Sequence, residues 1–384
     1  MRVGEWHLVH GNRLVAPWHD GRMTTLPSSR IPDPFEAPSI RWGVLAPGGI
    51  ARDWTAALHA RTASRVVAVG SRSHERAQAF ADEFGVERAY GDYESLVADS
   101  VVDAIYVASP HSEHHHHALL ALGAGKPVLV EKAFTRNAVE ATAVIDAARA
   151  QRLLVVEAMW TRFLPHIDVV RRCLEDGLLG EIKAVDADHG QQLYPDGPLR
   201  MADPALAGGA LLDLAIYPVS FAHLALGAFT TVHATGTLAA TGVDASETIA
   251  VIGSQGAIGT LCSTMLAKTP CSASISGTAA RLEIDGWFYQ PNTVRLLDPD
   301  DREIDRYETP NREHGLAYEA AEFARLLANG KAESNLLPLD ETLLIMQVLD
   351  EIRAQLGVSF PDESRSDPQV VTAKHVTRAK PCGC

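Results

Sequence analysis

Three residues suited to moving a proton lie in two separate stretches of the chain: Lys132 in VLVEKAF, and Asp213 and Tyr217 in GGALLDLAIYP. Asp213 and Tyr217 are four residues apart in a helical pattern, so we expect their side chains to share one helix face. A tyrosine shuttles protons when a nearby cation lowers its pKa from about 10 toward neutrality, and Lys132 could supply that charge. We interpret Tyr217 as the proton donor, Lys132 as the group that polarises a substrate oxygen and keeps Tyr217 acidic, and Asp213 as the group that orients substrate or Lys132. The alternatives are a surface ion pair between Glu131 and Lys132, and a buried Tyr217 whose hydroxyl group is hydrogen-bonded.

Glu131 and Lys132 end a predicted strand, the position where open α/β sheets bind their ligands. We therefore assign Glu131 to the cofactor site.

The stretch RWGVLAPGGIARDW predicts a phosphate-binding turn between a strand and a helix. It matches the dinucleotide fingerprint G-x-G-x-x-G/A except that Ala46 stands in place of the first glycine. Because Ala46 precedes Pro47, we expect it to be extended, without a positive φ. Gly48, Gly49 and Ile50 are then expected to direct their N–H groups toward a pyrophosphate. The alternative is a tight turn that binds nothing.

The end of the second predicted strand, RVVAVGSRSHER, indicates which dinucleotide binds. Sites for NAD place an acidic residue there to bind the ribose 2′-hydroxyl group. This chain has Ser71 and Arg72 instead, with Arg76 one helical turn later. Two guanidinium groups can bind a 2′-phosphate, so we predict NADP, with NAD as the alternative. Either arginine could instead be an ordinary solvated surface residue.

These residues require elements that position them. Strands and helices alternate from residue 41 to 160, which predicts a doubly wound parallel sheet of the α/β class, a Rossmann domain. From 161 to 360, successive short strands without intervening helices predict an α+β domain with a large, mostly antiparallel open sheet. We expect residues 1–40 to be an extension, poorly ordered or lying over the body, and 361–384 to be an irregular tail. Its Cys-Gly-Cys end is expected to be inert.

The composition limits the class of protein. The chain has 384 residues, a formal charge of −14 and 46% hydrophobic residues. Nucleic acids and acidic membranes attract an excess of Lys and Arg, so we expect neither as a partner. No secretory signal is recognisable and five scattered cysteines make no disulfide framework, so we expect a cytoplasmic protein.

Several motifs in order carry a family resemblance: WGVLAPGGIA, VGSRSHERAQAFADEFG, SPHSEH, AGKPVLVEKAF, EAMWTRFLP, GGALLDLAIYP and LPLDETLLIMQVLDEIR. Over residues 40 to 360 the chain resembles the glucose–fructose oxidoreductase and inositol dehydrogenase (Gfo/Idh/MocA) family. Within it, the chain is most similar to the branch of dimeric dihydrodiol dehydrogenase and NADP-dependent D-xylose 1-dehydrogenase. The resemblance implies hydride transfer at a carbinol or aldehyde carbon, with Lys132 catalytic and Asp213 and Tyr217 as its helix partners. It also implies a homodimer or larger homo-oligomer formed through the C-terminal sheet.

The resemblance assigns further residues. Ser109, His111 and His114 correspond to the nicotinamide side of the cofactor site. HSEHHHH also suggests a metal, but zinc ligands usually come from separated segments, and we predict none. Trp160 and Arg162 follow a strand end and are assigned to the substrate pocket; the alternative is core aromatic residues and a structural ion pair.

Two departures from the family pattern matter. Ala133 replaces the proline of the E-K-P motif, which puts the direction of Lys132 in question. Tyr217, where many members have histidine, favours the dihydrodiol and glucose–fructose types. The sequence thus predicts an NADP(H)-dependent oxidoreductase for a sugar, polyol or trans-dihydrodiol. An inositol-type NAD-dependent dehydrogenase and a non-catalytic sugar sensor are the alternatives.

Overall fold

A computed structural model describes residues 25–363. The N-terminal part is a six-stranded, fully parallel sheet in the order β3-β2-β1-β4-β5-β6, as a doubly wound fold requires. Its strands are β1 (Arg41–Leu45), β2 (Arg65–Gly70), β3 (Arg88–Tyr90), β4 (Ala104–Val107), β5 (Val128–Glu131) and β6 (Val155–Ala158). Their carboxyl ends meet at one edge, so the loops after β1, β2, β4 and β5 share one crevice.

Helices connect these strands: α1 (Gly49–Arg61), α2 (His74–Phe84), α3 (Tyr93–Ala98), α4 (His111–Gly123) and α5 (Ala138–Gln151). The side chain of Asn137 caps α5 by accepting a hydrogen bond from the backbone N–H of Glu140 at 2.9 Å. The strands are almost wholly buried, and this explains their continuous apolar sequences.

The second sheet has eight strands in the order β14-β13-β12-β11-β7-β10-β9-β8. Only β7 and β10 pair in parallel; all other neighbours are antiparallel. The strands are β7 (Ile182–Gly190), β8 (Phe229–Leu238), β9 (Asp244–Gly253), β10 (Ile258–Thr264), β11 (Ala273–Gly277), β12 (Arg281–Ile284), β13 (Thr293–Leu297) and β14 (Glu303–Glu308). Helices α6 (Pro165–Glu175) and α7 (Ile216–Leu226) pack on one face, while the other face is open.

The last two helices are α8 (Ala317–Ala328) and α9 (Leu339–Leu356), and they tie the two parts together. The prediction assigned both to the C-terminal domain. Instead, α8 packs against α1, and its Phe323 contacts the ring of Trp42 in β1 at a centroid distance of 4.8 Å. Helix α9 packs against both α5 and β8. The predicted boundary therefore separates two sheets, but it does not separate two cores, because buried apolar residues form one continuous cluster.

The sequence analysis expected residues 1–40 either to be poorly ordered or to lie over the body of the protein. For residues 25–40, the structure shows the second arrangement. Arg30 forms ion pairs with Asp168 at 2.7 Å and Glu175 at 2.8 Å, and the backbone N–H of Leu26 donates to Asp305. This stretch therefore lies over the body of the protein, held by the second domain. Residues 1–24 and 364–384, with the Cys-Gly-Cys end, lie outside the described residues.

One segment of the described chain, Pro204–Leu226, has the length and hydropathy of a membrane span. In the fold, 89% of its apolar window is buried inside the protein. The segment is apolar because it forms a core helix that packs against the second sheet.

Candidate active site

A cavity of about 830 Å³ runs from the turn after β1 to the helical face of the second sheet. Both domains line it, and its size falls in the usual range for ligand sites. The predicted site residues that line it are Ala46, Gly48, Gly49, Ile50, Ser71, Arg72, Arg76, Ser109, His111, His114, Glu131, Lys132, Asp213 and Tyr217. Trp160 and Arg162 are not among the lining residues.

The turn after β1 corrects one prediction. Ala46 has a φ of 71°, in the left-handed region, and is not extended despite the proline that follows. The fold thus places alanine in the conformation that the family glycine adopts freely. The turn also closes on itself, because the N–H of Gly48 donates to the carbonyl oxygen of Ala46 at 2.9 Å. Gly48 therefore does not direct its N–H at a ligand as predicted.

Gly49 and Ile50 begin α1, whose N-cap residue, Gly48, makes no side-chain cap. The first N–H groups of an α-helix have no acceptor within the helix, and they carry partial positive charge. These groups face the cavity and fit a pyrophosphate.

At the end of β2, Ser71, Arg72 and Arg76 face the same end of the cavity. Tyr93, which the sequence analysis missed, lines it too and packs edge-on against His117 at 4.6 Å. The cavity-lining residues after β2 include no carboxylate, since Glu75 is not among them, although Asp53 of α1 also reaches the cavity. This donor set fits a phosphate on the ribose better than a 2′-hydroxyl group.

The histidines after β4 serve as neutral, fixed groups. His111 Nδ1 lies 3.2 Å from the carbonyl oxygen of Ala207, and burial lowers the pKa of His111 to about 3. The ring nitrogens of His114 lie 2.9 Å and 2.7 Å from the carbonyl oxygens of Ala133 and Ser109. His114 therefore joins the loop after β4 to the loop after β5. No group of three or more His, Cys, Asp or Glu side chains within residues 25–363 is arranged to hold a metal ion.

Glu131 lies beneath the cavity floor and is 5% exposed. Tyr106 donates its hydroxyl hydrogen to one carboxylate oxygen at 2.5 Å, and the backbone N–H of Lys132 donates to the other at 3.2 Å. Burial outweighs these bonds and raises the pKa of Glu131 to about 7. The peptide bond between Lys132 and Ala133 is cis, although Ala133 is not proline.

Lys132 and Asp213 meet across the two domains. Lys132 Nζ donates to the backbone oxygen of Asp213 at 2.8 Å and to Asp213 Oδ1 at 3.1 Å. An ammonium group has three hydrogens, so two are used by Asp213 and the third can reach a substrate oxygen. Burial opposes ionisation of Asp213, but Lys132 and Arg200 hold its pKa far below the usual range. Asp213 is therefore a permanent anion and not a proton donor.

Asp213 lies in a short π-helical turn, Leu211–Ala215, that leads directly into α7, where Tyr217 follows. Such turns occur often at functional sites. Both side chains reach the cavity, as the four-residue spacing predicts. Pro218 has no N–H, and this leaves the carbonyl oxygen of Leu214 for His189, whose Nδ1 lies 3.2 Å away.

The protonation of Tyr217 follows from its surroundings. Lys132 Nζ lies 5.0 Å from the centre of the Tyr217 ring, in a cation–π contact. The phenolic oxygen instead accepts a hydrogen bond from Trp160 Nε1 at 3.0 Å. Burial, together with the charge of Glu131, raises the pKa of Tyr217 well above 10. Tyr217 therefore retains its proton in the protein without ligands, and the role of Lys132 in keeping it acidic stays a prediction.

The assignment of Arg162 to the substrate pocket also differs from the structure. It is 2% exposed, and its guanidinium group pairs with Glu341 at 2.7 Å and donates to the backbone oxygen of Ser220. It is thus the structural ion pair that was the alternative. Trp160, from the same 3-10 turn (Trp160–Phe163), contacts the site through its hydrogen bond to Tyr217 and through an edge-on contact with Tyr289 at 6.4 Å.

Sequence analysis missed an aromatic wall beside Tyr217. His189 stacks on Tyr289 at 4.1 Å, and Tyr289 contacts the Tyr217 ring at 4.8 Å. Burial lowers the pKa of His189 to about 3, so one ring nitrogen donates to Leu214 and the other accepts from Gln191 at 2.9 Å. Trp287, Gln290 and Arg200 line the same end. No local motif marks these residues, because they come from the ends of separate strands and loops.

Comparisons with known proteins agree with this site. Residues 40–158 match the model of the GFO/IDH/MocA oxidoreductase family with an NAD-binding Rossmann fold, and residues 167–283 match the C-terminal domain of that family. Trans-1,2-dihydrobenzene-1,2-diol dehydrogenase from Bos taurus is 33% identical over 335 residues, which are 85% of this chain and 99% of that protein. The Homo sapiens protein of the same name is 33% identical over 336 residues, covering 85% of this chain and 100% of that one.

Solved structures show the same fold. KijD10, a 3-ketoreductase from Actinomadura kijaniata in complex with NADP, has a TM-score of 0.73 and 28% identity over 83% of this chain and 98% of that chain. Levoglucosan dehydrogenase with NADH and levoglucosan has a TM-score of 0.76 over 84% of this chain and all of that chain, and its 20% identity supports the fold alone. With both domains matched and a crevice that fits a dinucleotide, this chain belongs to the GFO/IDH/MocA family of oxidoreductases.

Proposed function

We propose that this protein is an NADP(H)-dependent oxidoreductase that acts on a ring-shaped sugar or vicinal diol. The observation that carries the proposal is the shared cavity: the turn after β1 lies at one end, and Lys132, Asp213 and Tyr217 converge at the other. A dinucleotide that binds the turn extends along the crevice toward these three side chains. Bound NADP supplies a hydride acceptor, and NADPH a hydride donor.

The protein supplies the proton chemistry. Tyr217 retains its proton in a buried site, so in the reductive direction it is the acid for the developing alkoxide. The third hydrogen of Lys132 Nζ polarises the same oxygen, and Asp213 fixes that amine in place. In the oxidative direction the phenolic oxygen takes the proton back, and the Trp160 N–H stabilises the charge it carries when deprotonated.

NADP is the cofactor that the adenosine end favours, with NAD as a possible second cofactor. Arg72 and Arg76 supply two cations where an acidic residue would select NAD. KijD10 was solved with NADP, and the family model that matches residues 40–158 is described as NAD-binding.

The substrate class follows from the wall of Tyr217, Tyr289, His189 and Trp287. Aromatic faces pack on rings, and Gln191 and Gln290 can bind hydroxyl groups at the rim. Relatives named for a trans-dihydrodiol and for a sugar ketone support the same choice.

A homodimer through the open face of the second sheet belongs to this proposal. Neutral side chains of β9 and β10 form neighbouring pairs there, with Ile252 opposite Ile258 and Ala250 opposite Thr260. Ile258 is 54% exposed in the single chain. Ile258→Arg should convert a dimer into a monomer, and light scattering measures this change. A wild-type protein that is a monomer would refute this part of the proposal.

Cys173, Cys262 and Cys271 are unpaired, which fits a reducing compartment such as the cytoplasm.

The test is turnover of the purified protein with aldoses, cyclic polyols and trans-dihydrodiols, read by the absorbance of the reduced nicotinamide. Tyr217→Phe should lower kcat by roughly 10²–10⁴-fold while the affinity for NADPH persists. Tyr90→Phe is the matched control, because its hydroxyl group bonds Asp99 outside the cavity. Full turnover by Tyr217→Phe would refute the assigned role. Binding of NADPH without any turnover would favour the sensor instead.

A further inference from the structure

Arg200 forms a two-point ion pair with the carboxylate of Asp213. Nη1 donates to Oδ1 and Nη2 to Oδ2, each at 3.2 Å. The Asp213 side chain is only 10% exposed, whereas that of Arg200 is 44% exposed and lines the cavity. A planar guanidinium bound at two points fixes the plane of the carboxylate as well as its charge.

Lys132 depends on the same carboxylate. Oδ1 of Asp213 accepts from both Lys132 Nζ, at 3.1 Å, and Arg200 Nη1. A rotation of this carboxylate would therefore move the acceptor that fixes the position of Nζ. Arg200 does not contact Lys132 through any hydrogen bond of the described residues, so its influence must pass through Asp213.

The backbone that carries Arg200 is itself fixed to the segment before Asp213. Arg200 lies in a 3-10 turn, Leu199–Ala202, and the N–H of Gly209 donates to the carbonyl oxygen of Met201 at 3.0 Å. A Cβ atom on Gly208 would lie 2.4 Å from the carbonyl oxygen of Arg200, so only glycine permits this approach. Gly208 and Gly209 thus let the turn that carries Arg200 pack closely against the segment that leads to Asp213.

We propose that Arg200 is a positioning residue of the hydride-transfer reaction: it locks the Asp213 carboxylate in the orientation that aims the Lys132 amine at the substrate oxygen. The proposal rests on the function proposed above. A simpler role, in which Arg200 only tethers its loop, makes different predictions for a double-mutant cycle with Asp213 and for the chemical reactivity of Lys132.

Several ionisable groups face Asp213 from the surrounding elements. They are Lys132, Arg200, His111, His189, Tyr217, Glu131 and Tyr289. Burial opposes ionisation of Asp213, and Lys132 and Arg200 are the cations that overcome it and lower its pKa. Without Arg200 the pKa of Asp213 should rise, because one of those two cations is lost.

The experiment compares Arg200→Gln and Arg200→Lys with wild type, with Leu199→Ala as the matched control. Leu199 lies in the same turn, and its side chain is 89% exposed. Arg200→Gln should lower kcat roughly tenfold to hundredfold, because a catalytic group that is displaced by a fraction of an ångström loses that much. The KM for NADP should not change. Arg200→Lys should recover part of the lost kcat.

Two results would overturn the proposal. One is an Arg200→Gln enzyme with wild-type kcat. The other is a lower kcat with a lower melting temperature that is just as large in an Asp213→Asn background, which is the result expected if Arg200 only tethers its loop. A double-mutant cycle adds a second readout, since Arg200→Gln should cost nothing further in Asp213→Asn.

The rate of acetylation of Lys132 by acetic anhydride, followed by mass spectrometry, tests the proposal without turnover. It should rise several-fold in Arg200→Gln as the carboxylate releases the amine, and an unchanged rate would count against the proposal. If wild type proves inactive on every substrate, the proposed function fails, while this labelling still decides whether Arg200 positions Lys132.

Discussion

The indole Nε1 of Trp160 donates a hydrogen bond to the phenolic oxygen of Tyr217 at 3.0 Å. The two residues are 57 positions apart, and they meet where the chain leaves the first sheet and where α7 begins on the second. This N–H lowers the pKa of Tyr217 against the larger effect of burial. Trp160, which the sequence analysis assigned to the substrate pocket, thus acts on Tyr217, the proposed proton donor.

Trp160→Phe should lower kcat by roughly tenfold or more, because a hydrogen bond to a charged oxygen contributes about 1.5–3 kcal/mol. The measurement is steady-state turnover, with NADPH affinity as the check that the cofactor site is intact. In a Tyr217→Phe background the same change should cost nothing more. An unaltered kcat in the single variant would mean that the hydrogen bond has no role in proton transfer.

Arg72→Ala with Arg76→Ala should raise the KM for NADP by roughly 10–150-fold, because charge-assisted hydrogen bonds to the 2′-phosphate are lost. The KM for NAD should change little. Arg41→Gln is the matched control, since Arg41 pairs with Asp103 at the start of β1, outside the cavity lining. Equal losses for both cofactors would show that the arginines bind something other than the 2′-phosphate.

Arg162→Met should reduce the free energy of unfolding by about 3 kcal/mol, because Glu341 then keeps only His223 as a partner and the backbone oxygens of Ser220 and Leu336 lose their donor. Urea denaturation measures this loss. Since Arg162 lies outside the cavity lining, the KM for substrate in the folded fraction should remain at the wild-type value. A large rise in KM with unchanged stability would restore the substrate-binding assignment.

Acid should destabilise the protein through its buried histidines. His166 is fully buried with Nε2 2.9 Å from the carbonyl oxygen of Phe288, and burial lowers the pKa of His166 to about 4. The unfolded chain takes up this proton near pH 6.5, so stability is full above that pH and is lost as pH falls toward 4. From pH 7 to pH 5 this group alone should cost about 2 kcal/mol.

His166→Gln should therefore flatten the fall in stability between pH 7 and pH 5, whatever its effect at neutral pH. Denaturant unfolding at several pH values measures the slope. His233→Gln, at an exposed position on β8, should keep the wild-type slope. If His166→Gln keeps it too, the acid sensitivity arises elsewhere.

The sequence by itself determined the alternation of strands and helices in the first sheet and the place of the turn after β1, and it pointed to Lys132, Asp213 and Tyr217 as candidates for proton chemistry. Periodicity, glycine placement and side-chain type are local properties, so these features can be read from short stretches. The short strand Arg88–Tyr90 was missed, and local reasoning failed at Ala46, which has a φ of 71° in the fold although a proline follows it.

Tertiary structure alone decided which groups meet. It joined Arg200 to Asp213, Trp160 to Tyr217 and His189 to Tyr289, and it removed Arg162 from the pocket. It also placed Tyr217 in a buried site near the charge of Glu131, and both raise its pKa although Lys132 lies close to its ring. Such convergence depends on how two sheets pack around one core, and no short stretch of sequence contains that information.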